Sequence, residues 1–454
     1  MTELDAAIAR AYGVAIETEP LLPPPDAEAE AFLRSAIEIA CVIGDRRSAP
    51  PEAAPWEPLP QRAVAAPPAQ ERDRAVARAL AWAAEQGARL NGIAVRVDPT
   101  GGAAIHATRA LSAGEQILVV PRHLMLIRAD RDELAVWLAV EAADPDSPWR
   151  AYLDALPQRF DEMPVFHGAA EHAALAGTAA YALAEQTNHD VRACHARLPD
   201  DVRARVSLAD FAWGRAILAS RGFHAPGTFE HQIALMPVVE FFNHRLGDTT
   251  WSFDPAIGDY VITTERAFAA GEEVGFAYGD RSNTRLLVHY GFTDPGAPGE
   301  AAVVFERAAD PAADLAGHLL WGLPLGAPAV VCVGARLDER MFRALSVARL
   351  HASSAADREH AAETGLTARG DVPWLGPAVE AATLALLGDA ARRALAELDA
   401  GAPHGSADLP WDRSCALVRA SERAVLLEVL DLAGGGSSQL AEAYRRALAA
   451  HITR

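Results

Sequence analysis

Two polar segments of the chain contain residue types that bind small molecules or take part in catalysis. In the first, residues 240–245, the neighbours Asn243 and His244 directly follow the apolar run 233–239. Polar side chains beside a buried run need hydrogen-bond partners in the interior. The pair therefore indicates either a structural polar network in the core or a ligand site, and the segment alone leaves both interpretations open.

The second polar segment covers residues 276–283 and is followed closely by Tyr290. It places Tyr278 and Tyr290, two of only seven tyrosines in the chain, on either side of a polar turn. Tyrosine combines a large apolar ring with a hydroxyl that hydrogen-bonds, so it suits half-buried binding sites. Such sites are common in ordinary packing, so this segment alone is a weak signal.

Several kinds of chemistry are excluded by the composition. All 41 basic residues are arginines, so the protein has no lysine of its own for a Schiff base or a Walker-type phosphate site. The sequence has no GxSxG, HExxH or EF-hand motif. The cysteines are far apart and match no zinc spacing, which predicts a metal-free protein. They are Cys41, Cys194, Cys332 and Cys415.

Length and charge restrict the organisation and the partners. A chain of 454 residues suits two domains plus an extension. The net charge of −20 argues against a nucleic-acid partner and permits attraction of a basic protein or peptide. We find no membrane span, and the first ten residues carry Glu3 and Asp5 against one base, Arg10, unlike a secretion signal. These features predict a cytoplasmic protein.

The N-terminal part of the chain, residues 1–70, is predicted to be a partly helical, proline-rich extension. Helices are expected at residues 3–12 and 28–43, and residues 50–68 should be extended and solvated because proline disfavours regular structure. We interpret the extension as a spacer, with a role in covering a cleft or recognising a partner as the alternatives.

The rest of the chain alternates between strand-like and helical patterns. A helix is predicted over residues 72–86, ended by Gly87, and residues 130–225 and those after Phe305 should be mainly helical. Short apolar runs bounded by glycine and proline predict strands. These runs cover residues 93–97, 115–120, 251–254, 259–264 and 273–277.

Taken together and in this order, the polar segments resemble the SET-domain family. The closest likeness is to the subfamily that includes the Rubisco large-subunit lysine methyltransferase and the actin histidine methyltransferase, over residues 79–432. The other matching stretches are residues 80–87, 101–109, 114–115, 120–121, 147–152, 175–178, 220–223, 290–292, 345–350 and 422–426. Two departures are Ala104, where the family has a second glycine, and Arg245, where a small residue is usual.

The resemblance implies an α+β fold. Residues 71–300 would form a SET domain of short, mostly antiparallel strands around a pseudoknot-like core, with a helical insert at about 130–225. Residues 301–454 would form an all-α C-terminal substrate-binding domain.

The resemblance also implies transfer of a methyl group from S-adenosyl-L-methionine to a protein nitrogen. Arg221 would pair with the cofactor carboxylate, a bidentate match. Tyr278 would be the catalytic residue, and Tyr290 would line the channel for the acceptor nitrogen. The implied cofactor-binding residues are Gly102, Ala103, Arg221, Glu240, Asn243, His244 and Tyr278.

The nature of the acceptor is less sharply indicated. Lysine enzymes of this subfamily have phenylalanine where this chain has Phe223, whereas the histidine enzymes have asparagine. Residues 278–283, however, resemble the histidine branch. The sequence therefore favours lysine and leaves two alternatives, a protein-histidine methyltransferase and a non-catalytic SET-like binding module.

Overall fold

The computed structural model describes residues 55–452 except 66, 129, 225–232, 254–257, 307–327, 355, 358–374 and 402–409. The helices expected at residues 3–12 and 28–43 lie outside the described residues. The described strands are β1 (Arg89–Leu90), β2 (Ile93–Val97), β3 (Ala103–Ala107), β4 (Gln116–Val120), β5 (Leu126–Arg128), β6 (Phe223–His224), β7 (Ile233–Leu235), β8 (Thr249–Phe253), β9 (Tyr260–Thr264), β10 (Glu300–Phe305) and β11 (Ala329–Gly334).

The helices with described bounds are α1 (Ala69–Glu85), α2 (Arg131–Ala143), α3 (Arg150–Ala155), α4 (Ala169–Ala173), α5 (Ala179–Arg197), α6 (Asp200–Arg203), α7 (Leu208–Arg221), α8 (Asn283–Tyr290), α9 (Glu339–Ala352), α10 (Pro377–Ala400), α11 (Pro410–Ala433) and α12 (Gln439–Ile452). Helices α2 to α7 agree with the helical stretch expected at about 130–225. Within the described ranges, no helix has the length and apolar character needed to cross a membrane.

Small antiparallel sheets pack around a hydrophobic core that includes Ile105, Ile117 and Ile262. They are a four-stranded sheet in the order β1-β4-β9-β8, the hairpin β2-β3, and a three-stranded sheet in the order β5-β7-β6. Strand β4 lies between β1 and β9, and nearly all of its side chains are buried on both faces of the sheet, including Ile117 and Leu118 at 0% exposure. This burial explains why its sequence is a continuous apolar run rather than an alternating one.

Four of the predicted strands are confirmed to within about two residues, as β2, β4, β8 and β9. The strand predicted at residues 273–277 is wrong. That stretch makes only isolated bridges, because Glu273 pairs with His106 while Phe276 pairs with His244 in a different segment. An apolar alternation therefore occurs there without a continuous partner strand.

Residues 55–62 were expected to be extended and solvated, and they are instead packed against the helical insert. The Leu59 side chain is only 3% exposed, and its backbone N–H donates to the Val165 carbonyl. The Trp56 indole N–H donates to the His167 carbonyl over 2.9 Å, and the Arg62 guanidinium forms an ion pair with Asp210 at 3.0 Å. The proline content of this stretch correctly predicted that it is not helical, but it did not predict that these residues are packed against the helical insert.

Among its described residues, the C-terminal region is helical, as predicted, apart from the antiparallel pair of strands β10 and β11. The description of this region as all-α therefore needs that correction. Every second residue of β10 faces the core formed with α9 and α10. These buried residues are Ala301, Val303 and Phe305. Their period of two is typical of a strand with one buried face.

A buried carboxylate on α11 joins the C-terminal region to the rest of the chain. Glu422 is 2% exposed and accepts the backbone N–H of Ala179, at the start of α5, at 2.8 and 3.0 Å. It also accepts the Thr284 hydroxyl of α8 over 3.0 Å. Burial raises the pKa of Glu422 to about 8. Helices α5, α8 and α11 are thus linked through a single side chain.

Candidate active site

A strained turn after β7 positions the first polar segment. Val238 has a φ of +79°, a conformation that a β-branched residue rarely adopts. The turn Val239–Phe241 follows at once, and Phe241 and Phe242 anchor it in the core. Backbone strain of this kind is concentrated at functional sites, where the surrounding packing maintains it.

The two polar segments, separated by thirty residues, lie side by side. The Phe276 N–H donates to the Asn243 carbonyl over 2.8 Å, and the Arg245 N–H donates to the Phe276 carbonyl over 3.1 Å. Gly275 makes this approach feasible, because a Cβ there would lie 2.4 Å from that of Arg245. The exposed Asn243 side chain donates to a Glu273 carboxylate oxygen over 2.8 Å.

His244 holds the backbone of Tyr278 directly. The Tyr278 N–H donates to His244 Nδ1 over 3.1 Å, which requires that ring nitrogen to be unprotonated. Burial is the main cause that lowers the pKa of His244. The imidazole is therefore kept neutral and acts as a fixed acceptor.

An aromatic cluster surrounds Tyr278. The rings of Tyr290, His244 and Phe292 have centroids 5.0, 5.2 and 6.4 Å from the Tyr278 ring. Tyr290 ends helix α8, and Gly291, with φ +79°, turns the chain so that Phe292 folds back onto the cluster. Such rings exclude water while leaving hydroxyl groups available to a ligand.

The Tyr278 hydroxyl points away from solvent. It donates to the Phe242 carbonyl over 2.7 Å, and burial raises its pKa to about 12. The hydroxyl is therefore neutral near neutral pH, and its oxygen retains lone pairs that can accept weak C–H···O contacts.

Beside the aromatic cluster lies a buried group of charged and polar side chains. Both carboxylate oxygens of Glu240 are buried without a hydrogen-bond partner among the described residues, as is the Tyr152 hydroxyl. Arg72 and Arg221 interact electrostatically with this carboxylate, and Arg221 also with Tyr278. Burial raises the pKa of Glu240 to about 8.

Two arginines with such a carboxylate fit the two ends of an amino acid. A guanidinium is a natural partner for a carboxylate, and Glu240 is a natural partner for an ammonium. A buried polar group without a hydrogen-bond partner destabilises the fold. Such groups are expected in a binding site whose ligand supplies the missing partners. This arrangement suits the methionine part of S-adenosylmethionine.

Sequence reasoning missed Arg72 and Tyr152. Arg72 lies on α1, where its guanidinium also donates to the Ala155 carbonyl, and Tyr152 lies on α3. Burial lowers the pKa of Arg72 to about 10, followed by the charge of Arg221. For Arg72, the only sequence signal of a site was a charged residue on the apolar side of a predicted helix.

The first glycine loop is a tight turn between β2 and β3. Gly101 has φ +91°, and the Gly102 N–H donates to the Asp98 carboxylate over 3.1 Å. Ala103 begins β3, which contacts the turn Val239–Phe241. The described hydrogen bonds of Gly102 stay within its own hairpin, so Ala103 is the loop residue whose strand reaches the turn that carries Glu240.

Phe223 lies on β6, directly after Arg221 and Gly222. Its half-buried ring meets the Phe276 ring edge-on, with centroids 5.8 Å apart. Phe276 precedes Tyr278 by two residues, so Phe223 packs against the segment that carries Tyr278.

Comparison with solved structures identifies the architecture. The SET domain of LSMT bound to lysine and AdoHcy superposes with a TM-score of 0.61 and 19% sequence identity, over 80% of this chain and 91% of that chain. Rubisco LSMT bound to AdoMet gives 0.60 and 20%, over 79% of this chain and 91% of that chain. The chain has the SET-domain fold.

The curated relatives are similar to the SET-domain chain over a shorter stretch. Actin-histidine N-methyltransferase of Drosophila melanogaster is 27% identical over 259 residues, which cover 47% of this chain and 48% of that protein. The protein of the same name from Rhinolophus ferrumequinum is 27% identical over 248 residues, 47% of this chain and 41% of that protein. No protein-family model matches the chain.

These matches confirm the predicted SET-domain fold and the resemblance to this subfamily. The chain spans about half the length or less of the curated relatives it matches.

Proposed function

We propose that this SET-domain protein transfers a methyl group from S-adenosylmethionine to a side-chain nitrogen of another protein. The observation that carries the proposal is the buried group of Glu240, Arg72 and Arg221 directly beside the aromatic cluster of Tyr278. The charged group would complement the carboxylate and ammonium ends of an amino acid. The aromatic cluster would exclude water from around a reacting nitrogen. The names of the curated relatives and of the solved structures support the same reaction.

The residues that would hold the cofactor come from both polar segments and from α1 and α7. Arg221, with Arg72, would bind the carboxylate, and Glu240 would bind the ammonium. Asn243 and His244 would bind the adenine through main-chain groups. Gly102 and Ala103 would add backbone contacts from the first loop. When bound, S-adenosylmethionine supplies a methyl group made electrophilic by the sulfonium.

The protein's own residues would orient the reactants and exclude water. The Tyr278 hydroxyl, fixed on the Phe242 carbonyl, would present its oxygen to the methyl hydrogens. Tyr290 would line the opposite wall of the acceptor channel. Holding two reactants in near-attack geometry supplies much of the acceleration in such reactions.

The acceptor must be neutral to attack. A lysine amine has a pKa of about 10.4 in water, and an apolar aromatic channel lowers it by desolvation. We propose lysine as the acceptor because Phe223, which packs against Phe276 in the segment that carries Tyr278, offers apolar contact to an aliphatic stem and no amide to hold an imidazole. The names of the curated relatives favour histidine as the second candidate.

Titration with S-adenosylmethionine by calorimetry tests the proposal. We expect saturable binding by the wild type, binding weakened by on the order of tenfold or more in Arg221→Gln, and unchanged binding in Arg446→Gln. Arg446 is a matched control because its side chain is 75% exposed on α12. A wild-type protein that binds no cofactor would instead favour a non-catalytic SET-like binding module.

A further inference from the structure

Residues 56–62, which we call the strap, are bound along the surface of the helical insert. At one end, the Trp56 ring stacks on the His172 ring, with centroids 3.5 Å apart and planes 8° apart. In the middle, Leu59 is buried in the core of the insert. These contacts fix the course of the strap and bring its last two residues to the loop that follows α3.

Gln61 uses both ends of its amide on this loop. The amide oxygen accepts the Phe160 N–H over 3.2 Å. The amide nitrogen donates to the Asp161 carboxylate over 2.9 Å. Because the amide is held at both its acceptor and its donor, it has one orientation and keeps the backbone at Phe160 in a defined position.

The ring of Phe160 lies under the guanidinium of Arg221. The Arg221 Cζ atom is 5.8 Å from the ring centroid, within the range of about 6 Å over which an aromatic face attracts a cation. Phe160 is 7% exposed and also stacks on Phe166, so its ring has little freedom to move away. Gln61 therefore supports Arg221 through one intervening residue.

Arg62 supports the end of α3 in a similar way. Its guanidinium donates to the Gln158 amide oxygen over 2.9 Å, and the Gln158 amide nitrogen in turn donates to two backbone carbonyls. Ala155, whose carbonyl accepts the Arg72 guanidinium, lies between these two carbonyls in the chain. They belong, at 3.0 and 2.9 Å, to Leu153 and Leu156.

Arg62 also joins this end of α3 to α7. It forms its ion pair with Asp210, near the start of α7, and its Cζ atom lies 4.4 Å from the centroid of the Trp213 ring. The Arg62 side chain is only 13% exposed, so these contacts are largely shielded from water. Helix α7 ends at Arg221. The strap thus contacts the elements that position both arginines of the buried charged group.

Such support has a physical reason. An arginine side chain has several rotatable bonds, so ordering it on a ligand costs conformational entropy. A guanidinium that is already held near its binding position loses less freedom, and the ligand binds more tightly. Two guanidinium groups also repel each other, so they converge on one carboxylate only where other groups hold both of them.

We propose that the strap is a positioning element of the cofactor site, in which Gln61 and Arg62 hold the supports of Arg221 and Arg72. The inference rests on the proposed function and deepens it by adding residues that set the affinity for the amino-acid end of S-adenosylmethionine. Gln61 and Arg62 act through other side chains, so they are positioning residues. Both precede residue 79, where the resemblance to the SET-domain family begins.

Two ligands separate this role from a general effect on folding. S-adenosylhomocysteine carries the amino-acid end, whereas 5′-methylthioadenosine has the same adenosine and thioether sulfur without it. In calorimetry, we expect the wild type to bind S-adenosylhomocysteine more tightly. Gln61→Ala should weaken that binding roughly three- to tenfold and leave the affinity for 5′-methylthioadenosine unchanged. Arg62→Gln is the second variant and should show the same selective loss.

The strap also offers a matched control. The Glu57 side chain is 79% exposed, so Glu57→Gln should bind both ligands as the wild type does. A double variant then tests the route of the effect. In the Arg221→Gln background, Gln61→Ala should weaken the binding of S-adenosylhomocysteine no further, because Gln61 acts through Arg221.

The outcomes that overturn the positioning role are distinct from failure of the proposed function. Equal losses for both ligands, no loss in either strap variant, or the full loss repeated in the Arg221→Gln background would each overturn it. Equal affinity of the wild type for the two ligands would do so as well. All of these leave the methyltransferase proposal standing. A wild type that binds neither S-adenosylmethionine nor S-adenosylhomocysteine would overturn both.

Discussion

The Tyr278 hydroxyl donates a 2.7 Å hydrogen bond to the backbone carbonyl of Phe242. This bond joins the two polar segments at the point where the buried charged group meets the aromatic cluster. Because the hydroxyl proton is committed to the carbonyl, the oxygen faces the remaining space as an acceptor. Its position thus depends on the fold of both segments.

Tyr278→Phe should reduce methyl transfer by roughly a hundredfold or more, because it removes an oriented oxygen from the reacting centre. Affinity for S-adenosylmethionine should change little. Loss of one buried bond costs about 1–3 kcal/mol, so the fold should persist. Single-turnover rates and calorimetry on the same preparation check this prediction, and a rate close to the wild type would contradict the role given to the hydroxyl.

Binding of S-adenosylmethionine should release protons near neutral pH. Burial raises the pKa of Glu240 to about 8, so its carboxyl is largely protonated in the free protein at about pH 7. A bound ammonium stabilises the carboxylate and lowers that pKa again, so the proton leaves. Calorimetry in buffers of different ionisation enthalpy measures the release.

The release should approach about one proton in the wild type and vanish in Glu240→Gln. The exposed Glu442, on α12, provides the matched control variant Glu442→Gln, which should release as many protons as the wild type. Equal release in Glu240→Gln would assign the proton to another group.

Glu422 should make the protein less stable as pH rises. Its pKa is raised from 4.5 to about 8 in the folded state, so between these values the native state binds more protons than the unfolded state. Its contribution is present below pH 4.5 and is lost as pH rises through about 8.

Urea unfolding across this range measures the effect as the difference between the wild type and Glu422→Gln. The free energy of unfolding should fall more steeply with pH in the wild type, because the amide cannot ionise. A wild-type curve parallel to that of the variant would show that Glu422 does not titrate in this window.

Phe223→Asn should shift acceptor preference from lysine towards histidine. The substitution removes an apolar ring that packs on Phe276 and introduces an amide that can hydrogen-bond to an imidazole nitrogen. Initial rates on matched peptides with a central lysine or histidine check the ratio. Phe223→Leu, which adds no amide, serves as the control, and an equal shift in both variants would reject the amide explanation.

The chemistry of the site was largely predictable where it lay in continuous motifs. Asn243-His244 and the tyrosines were found because unusual polar residues adjoin buried runs, and the fold brings them together. Arg72 was missed because it lies far away in sequence, on a helix whose apolar spacing indicated only packing. Only the tertiary structure places its guanidinium near Glu240.

The same reasoning explains the errors in the fold. Residues 273–277 alternate like a strand, yet their partners, His106 and His244, belong to different segments. Strands β10 and β11 are short apolar runs, which resemble buried helix segments in sequence. The roles of individual site residues, the domain boundaries and the cytoplasmic location stay predictions.

The central claim is tested most directly by transfer of labelled methyl from S-adenosylmethionine to a protein acceptor. Purified actin, Rubisco and whole-cell protein extract provide acceptors, with Tyr278→Phe as the control. We predict a labelled residue, lysine before histidine, in at least one acceptor with the wild type and at least a tenfold weaker signal with the variant. Cofactor binding without any labelling above the Tyr278→Phe level would contradict the account.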